Sequence, residues 1–381
     1  MIYLDNAATT FPKSEYVYQT MDYMARNGAV NAGRGSYNIA QKANSIIEET
    51  RNLIIDLVGA LPTVQVVFSP SITIAMNQII YGYRWKEKDV IYVSPYEHNA
   101  VARTLNYLSK RINVTISELP IDRETYHIDL DRMNYEFAKN HPKAVFCTHV
   151  SNVTGYILPI DEIFKESKKY NAINILDSAQ SFGLIDIDVK KSNIDILAFT
   201  GHKTLYGPFG VGGFINISNL ELDEVIVGGT GSDSLNLDMP KKGMGKYESS
   251  SPNIIAITGL HAALSELSIL DNFAHEKQLT DELIRLLDSI KKVNLYLPQD
   301  RESHIGIISL TVDGMLSEDV AMILDEDFDI AVRAGYHCAP YIHKYLRDTN
   351  SLGTVRIGLS KFNTMDDVNS IVEALREVCT G

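Results

Sequence analysis

Two residues far apart in the chain could share one piece of chemistry. Asp177 closes the apolar run "INILD" (173–177), and Lys203 stands just past a second run, "DILAFT" (195–200), within "GHKTLYGP". In a parallel sheet such strand ends project into one crevice. A carboxylate, a lysine and phosphate-binding groups meeting there are what pyridoxal 5'-phosphate requires. The lysine makes the Schiff base, the carboxylate keeps the pyridinium nitrogen protonated, and hydroxyls with backbone amides hold the phosphate. Taken singly neither residue stands out, because most aspartates at strand ends simply bind backbone or solvent.

Other residues could complete such a site. "VVFSPSITIAMNQII" reads as a strand, a small-residue turn and a helix, so the N–H groups after Ser71 would point at an anion. Thr73 could add a hydroxyl, and Thr200 with His202 a further contact. The plain alternative for Ser71 is a helix cap. His98, in "SPYEHNA", could stack on a planar ring or merely cap the helix it begins. Asn152, in "HVSNVTG", lies past another strand end, where a turn role is the ordinary one. Cys338 sits in "RAGYHCAP" (333–340) with His337 beside it and Arg333 upstream, and a lone cysteine is most often a small buried hydrophobe.

The elements that would position these residues are legible as a pattern. Seven short runs have strand length and β-branched or aromatic content, at 64–69, 90–94, 114–119, 144–150, 173–177, 195–200 and 211–216. Helix-like segments at 71–83, 98–110, 128–140 and 161–170 fall between several of them. Several strands are apolar on both faces, as in a parallel sheet covered by helices. The expectation is an α/β protein: a large domain with a mostly parallel seven-stranded sheet covered by helices, plus a smaller α+β C-terminal domain. A long helical region (about 254–291) leads into a strand at 305–312, a helix near 317–325, a short strand near 330–333 and a final helix after "NTMDDV". Residues 16–255 are assigned to the large domain, and 1–15 with 256–381 to the small one. The Gly-rich piece 228–253 reads as a loop bordering the site rather than a linker.

Bulk properties narrow the function classes. The 381 residues are 45% hydrophobic and 22% charged, with 24 Gly and 12 Pro, a globular composition too long for one ordinary core. A net charge of −13 argues against nucleic acid or an anionic membrane as partner. The cysteines, Cys147, Cys338 and Cys379, are odd in number and lack a CxxC pair, so neither a disulfide framework nor a zinc site is indicated. No metal is expected. The N-terminus has neither a basic stretch nor an apolar run, and no segment reaches the roughly 18 apolar residues of a membrane span, so the expected location is cytoplasmic.

Jointly these pieces resemble the class V branch of fold-type I pyridoxal-phosphate enzymes, in particular the cysteine desulfurase and selenocysteine lyase group. The matching strings span nearly the whole chain: "YLDNAATT", "NAGRGSYN", "SPSITIAMN", "EHNA", "HVSNVTG", "LDSAQSFG", "GHKTLYGPFGVGG", "GGTGS", "SSPN", "RAGYHCAP" and "GTVRIGLSKFNT". The resemblance implies that Lys203 forms the Schiff base, Asp177 pairs with the pyridine nitrogen, and Gln180 contacts the phenolic oxygen. It places His98 on the ring, and Ser71, Thr73, Thr200 and His202 around the phosphate. Arg356 would bind the substrate carboxylate with Asn152 near it, and Cys338 would accept sulfur as a persulfide, its thiolate favoured by His337 or Arg333. It further implies a homodimer in which Ser251 reaches the neighbour's phosphate, and a sulfur-acceptor protein as partner.

The sequence departs from that pattern in places. The usual Gly-Thr-Thr phosphate turn is Ser71-Ile72-Thr73, the usual Gly-Thr-Pro-Asn is Ser250-Ser251-Pro252-Asn253, and Tyr336 stands where such desulfurases often carry histidine. The expected reaction converts L-cysteine to L-alanine. Three alternatives stay open: a selenocysteine lyase, another class V aminotransferase or β-lyase that does not need Cys338, and a cofactor-binding protein without turnover.

Overall fold

The computed structural model describes residues 1–32, 35–231 and 235–380. Gly33 and Arg34 of "NAGRGSYN", and Ser232–Ser234 within the Gly-rich loop, lie outside the described residues.

The chain opens with β1 (Ile2–Tyr3), α1 (Glu15–Asn27) and α2 (Asn38–Leu57). Strands and helices then alternate as β2 (Gln65–Ser69), α3 (Ile72–Gly82), β3 (Val90–Val93), α4 (Asn99–Ser109) and β4 (Thr115–Glu118). There follow α5 (Leu130–Lys139), β5 (Ala144–Thr148), α6 (Ile160–Lys168), β6 (Ile173–Asp177), β7 (Ile196–Thr200) and β8 (Gly212–Asn216). The strands β2 to β8 form one seven-stranded sheet in the order β2-β8-β7-β6-β5-β3-β4. All neighbours run parallel except β8, which is antiparallel to both β2 and β7. The large α/β sheet therefore matches the architecture expected from the apolar runs.

Period-2 alternation explains why the sheet is covered on both sides. Val145, Cys147, Leu176, Leu197 and Phe199 enter one core layer. Their neighbours Ala144, Phe146, Ile175, Ile196 and Ala198 enter the opposite one. Strands buried on both faces are forced into such continuous apolar runs.

The rest of the chain forms α7 (Ile254–Ser265), α8 (Ile269–Leu287), β9 (Val293–Tyr296), β10 (Ile307–Val312) and α9 (Ser317–Phe328). After these come β11 (Ile330–Ala331), β12 (Arg333–Gly335), α10 (His343–Leu346), β13 (Thr354–Gly358) and α11 (Met365–Thr380). A smaller antiparallel sheet has the order β12-β13-β10-β9, and β1 pairs in parallel with β11. Leu4 accordingly lies in the core beneath the smaller sheet.

The long helical region expected over about 254–291 consists of two helices, bent by 80° between Ser265 and Ile269. Burial decides this. Helix α7 is apolar nearly all round and packs with α1 and α2 in the large-sheet core, while α8 turns its Leu279–Leu283–Leu287 stripe to the smaller sheet. Among the described residues no single helix is long and apolar enough to cross a membrane.

Candidate active site

The carboxyl ends of the central strands bring Thr148, Asp177 and Thr200 to one edge. Thr148 lies opposite Asp177, and Asp177 opposite Ala198 on β7. Asp177 is buried, and its Oδ1 accepts from Ala179 N at 3.0 Å. Burial pushes its pKa up, opposed by that hydrogen bond and by the Lys203 charge. Lys203 follows β7 by three residues. Burial pulls its ammonium down to about 8, with Asp177 opposing and the Arg356 and Arg333 charges reinforcing the drop. At neutral pH a lysine so placed gives up its proton far more easily than one in water.

The N-terminal segment clamps this lysine's backbone. His202 O accepts from Thr10 N (3.0 Å), Thr9 Oγ1 (3.1 Å) and Lys13 Nζ (2.9 Å), and Lys203 O from Thr10 Oγ1 (3.0 Å). Gln180 Nε2 donates to Ala7 O at 2.8 Å, so "YLDNAATT" is fastened to the crevice along its length. The sequence pattern singles out that string, yet assigns no role to Asp5, Thr10 or Lys13.

Ser71 caps α3, its hydroxyl accepting from Ile74 N at 3.3 Å, while Thr73 is exposed as the second residue of the helix. Thr200 Oγ1 and His202 Nδ1 are buried without a hydrogen-bond partner. Such orphaned polar atoms are costly unless a ligand meets them. His202 also stacks on Phe209 with ring centroids 4.5 Å apart. His98 caps α4 by accepting from Ala100 N through Nδ1 (3.0 Å), and burial, aided by the Lys203 and Arg333 charges, lowers its pKa to about 3. The ring is neutral and fixed.

Next to it lies a group that sequence reasoning passes over. Glu97 is fully buried, and its Oε1 accepts from Ser94 Oγ and Thr148 N, both at 2.6 Å, while Oε2 has no partner. Burial and the charge of Asp177 raise its pKa to about 8. The carboxyl is therefore held protonated behind Asp177 at neutral pH.

A second cluster comes from the smaller sheet. Strands β12 and β13 set Arg333 directly opposite Arg356, and like charges in that register call for an anion between them. Arg356 is 1% exposed; its Nη2 donates to Asp5 Oδ1 (2.6 Å) and its Nη1 to Asn152 O (3.0 Å), but its Nε is buried without a partner. Burial is the main cause lowering its pKa, with Arg333 adding to it. Asn152 Nδ2 donates to His337 O at 2.7 Å.

That bond reaches the turn carrying Cys338. Ala339 N donates to Tyr336 O (3.0 Å), and both central residues, His337 and Cys338, have positive φ (+47° and +57°). Each costs of order 1–2 kcal/mol in a residue with a Cβ. Cys338 O accepts from Asn99 N at 2.7 Å, which docks the turn on the start of α4 beside His98. The turn fits because Gly353 packs on Gly335, where a Cβ would fall 2.4 Å from backbone. Of the three cysteines only Cys338 is exposed; Cys147 and Cys379 are core fillers.

One sequence expectation is corrected here. His337 points away from the thiol, with Nε2 on Thr354 Oγ1 (2.9 Å), and burial pushes its pKa to about 2, with Arg356 contributing. It offers Cys338 no positive charge. Arg333 does, with Nη2 3.9 Å from Sγ. Ser251 is exposed and accepts from Asn31 Nδ2 at 3.3 Å; among the described residues no hydrogen bond ties it to the Lys203 group. Nor does any cluster of three or more His, Cys, Asp or Glu among them have the arrangement of a metal site.

The family model for aminotransferase class V matches residues 2–371. The chain belongs to that family. Its relatives include a probable cysteine desulfurase of Pyrococcus abyssi, 31% identical, with 99% of this chain and 94% of the relative aligned. Another, of Halalkalibacterium halodurans, is 30% identical over 99% of this chain and 93% of the relative. Among solved structures, the apo cysteine desulfurase of Thermococcus onnurineus NA1 superposes with a TM-score of 0.91 at 29% identity, covering 100% of this chain and 95% of that one. The class-V fold thus extends over the whole described molecule, small sheet included.

Proposed function

We propose that this protein is a pyridoxal 5'-phosphate-dependent cysteine desulfurase that converts L-cysteine to L-alanine and takes the sulfur onto Cys338 as a persulfide. The observation that carries this reading is the placement of the sole exposed cysteine. Its turn is fastened to α4 beside His98 and stands next to the paired arginines that border Lys203. An aminotransferase or β-lyase reaction gives no reason to hold a thiol there in strained backbone.

The residues fit the cofactor. Thr200 Oγ1 and His202 Nδ1 are orphaned where phosphate oxygens would satisfy them, with the N-terminus of α3 alongside. Asp177, buried and short of positive partners, suits a pyridinium nitrogen. Protonated Glu97 behind it adds no second negative charge. Gln180 would face the phenolic oxygen, and the neutral His98 ring would stack on the cofactor. When bound, the cofactor supplies an electron sink for the bonds at the substrate Cα.

The chain's own groups do the rest. Arg356, braced by Asp5 and Asn152, has its Nε left for the substrate carboxylate, and Arg333 adds charge beside it. Lys203, with its lowered pKa, takes and returns a proton at Cα. The Cys338 thiolate, with Arg333 Nη2 3.9 Å from its sulfur, attacks the substrate sulfur. An S–S bond forms, the Cβ–S bond breaks with its electron pair left on the substrate side, and a proton then completes alanine. Cysteine and enzyme thiol thus become alanine and enzyme persulfide with atoms and electrons balanced, and a thiol or sulfur-acceptor protein discharges the persulfide.

Two expectations about assembly belong to this reading. The exposed Ile226 and Val227 lie on the stretch that Ser249 and Ser250 bond at Ile226 O and Gly229 O, an apolar surface beside Ser251 that supports a homodimer whose Ser251 serves the neighbouring site. Purified protein reconstituted with the cofactor and given L-cysteine plus a reductant tests the activity. Equal yields of alanine and sulfide are expected, and pyruvate with ammonia, or transamination alone, would sink it.

A further inference from the structure

The strained turn of Cys338 is held at three carbonyls: Tyr336 O by Ala339 N, His337 O by Asn152 Nδ2 and Cys338 O by Asn99 N. Behind it lies a buried polar pair that the proposed reaction leaves without a task. His343 and Asp348 have side chains 7% and 1% exposed, and Nδ1 of the ring meets Oδ2 of the carboxyl at 2.5 Å. The other ring nitrogen, Nε2, reaches the Tyr336 carbonyl at 3.0 Å. A carbonyl and a carboxylate both only accept, so the ring donates at both ends, through Nε2 to Tyr336 O and through Nδ1 to Asp348 Oδ2, and the two bonds together fix its plane.

The pair is itself anchored. Asp348 O accepts from Gly353 N (3.1 Å) and Ser351 Oγ (3.0 Å), just ahead of Thr354, which holds His337 Nε2. The His343 ring also packs edge-on against Tyr336, with centroids 5.0 Å apart. Two polar groups buried together cost desolvation that apolar residues of like volume would avoid, so what they contribute is geometry. That geometry ends on the first carbonyl of the turn, two residues from the thiol.

We propose that His343 and Asp348 form a positioning dyad that, through the Tyr336 carbonyl, holds the Cys338 thiol beside Arg333 at the mouth of the crevice. The inference rests on the reading of Cys338 as the sulfur acceptor. The dyad touches neither substrate nor cofactor, so its loss should leave binding intact and slow sulfur transfer.

The test uses cofactor-loaded protein with His343→Ala, His343→Gln and Asp348→Asn. Gln can still donate to the Tyr336 carbonyl from near the Nε2 position. His343→Ala is expected to lower kcat for alanine formation at least tenfold while the L-cysteine dissociation constant, read from the cofactor spectrum, changes less than twofold. Hydrogen exchange at the Asn99 and Ala339 amides should speed up at least tenfold in His343→Ala and return within threefold of the parent in His343→Gln. Asp348→Asn, which keeps the shape of the pair, should show the same split in smaller measure. Unchanged exchange and kcat in both His343→Ala and Asp348→Asn would overturn the dyad, as would equal losses in binding and turnover. Cys338→Ala separates the two levels. Full alanine and sulfide output from it refutes the sulfur-acceptor reading, whereas slow exchange at Asn99 in that variant, with output lost, supports both.

Discussion

Glu97 offers a sharp physical test, because its fully buried carboxyl has donors on one oxygen only. Its pKa rises from 4.5 to about 8, chiefly through burial and then through Asp177. Below about 4.5 the group is protonated folded or unfolded and contributes nothing to pH dependence. Between that pH and about 8 the unfolded chain has lost the proton and the folded one keeps it, so stability falls as pH rises. The shift corresponds to at most about 5 kcal/mol at 1.36 kcal/mol per unit, reached near pH 8 and constant above it. Glu97→Gln keeps an oxygen to accept from Ser94 and Thr148 but cannot ionise. Denaturant unfolding of parent and Glu97→Gln at pH 5 and pH 8 isolates the group, since Glu276, also raised to about 8, cancels in the difference. The variant should gain several kcal/mol on the parent between those two pH values. A difference that does not change with pH, or one that changes in the parent's favour, refutes a protonated Glu97.

Other outcomes follow from the same geometry. Arg356→Lys keeps the charge and loses the planar fork, so the L-cysteine dissociation constant measured by spectral titration should rise about 10- to 100-fold, or roughly 1.4–2.7 kcal/mol. Thr200→Val removes a hydroxyl with no protein partner; the thermal midpoint of the apoprotein should hold or rise, while cofactor affinity drops about tenfold. Arg333→Met takes the cation from beside the thiol, and alkylation of Cys338 by iodoacetamide at pH 7 should slow severalfold, with Cys147 and Cys379 silent because they are buried.

Much of this site could be read before any coordinates. The seven strands of the large sheet fall within a residue or two of the apolar runs, and in β5, β6, β7 and β8 burial on both faces leaves no choice of pattern. Asp177, Lys203 and Arg356 were legible as strand-end and motif residues. What escaped the sequence is long-range. Helix α1 carries three tyrosines, α1 and α2 are both rich in polar residues, and their packing against α7 fixes them. The break between α7 and α8 follows from two different cores, not from a proline or glycine. The state of Glu97 depends on Thr148 and Asp177, both far along the chain. His337 and Arg333 were both candidates to act on the thiol, yet positive φ at His337 and Cys338 turns the one side chain in and the other out. The tie from His343 to Tyr336 spans seven residues but exists only because α10 folds back on the turn.

The central claim is that Cys338 receives the substrate sulfur. Cofactor-loaded protein mixed with one equivalent of L-cysteine and no reductant, then measured by intact and peptide mass spectrometry, tests it most directly. One added sulfur atom is expected on the peptide containing Cys338, matched by one equivalent of alanine, and neither product from Cys338→Ala. Alanine formed at the parent rate by Cys338→Ala, or sulfur found only on Cys147 or Cys379, would contradict it.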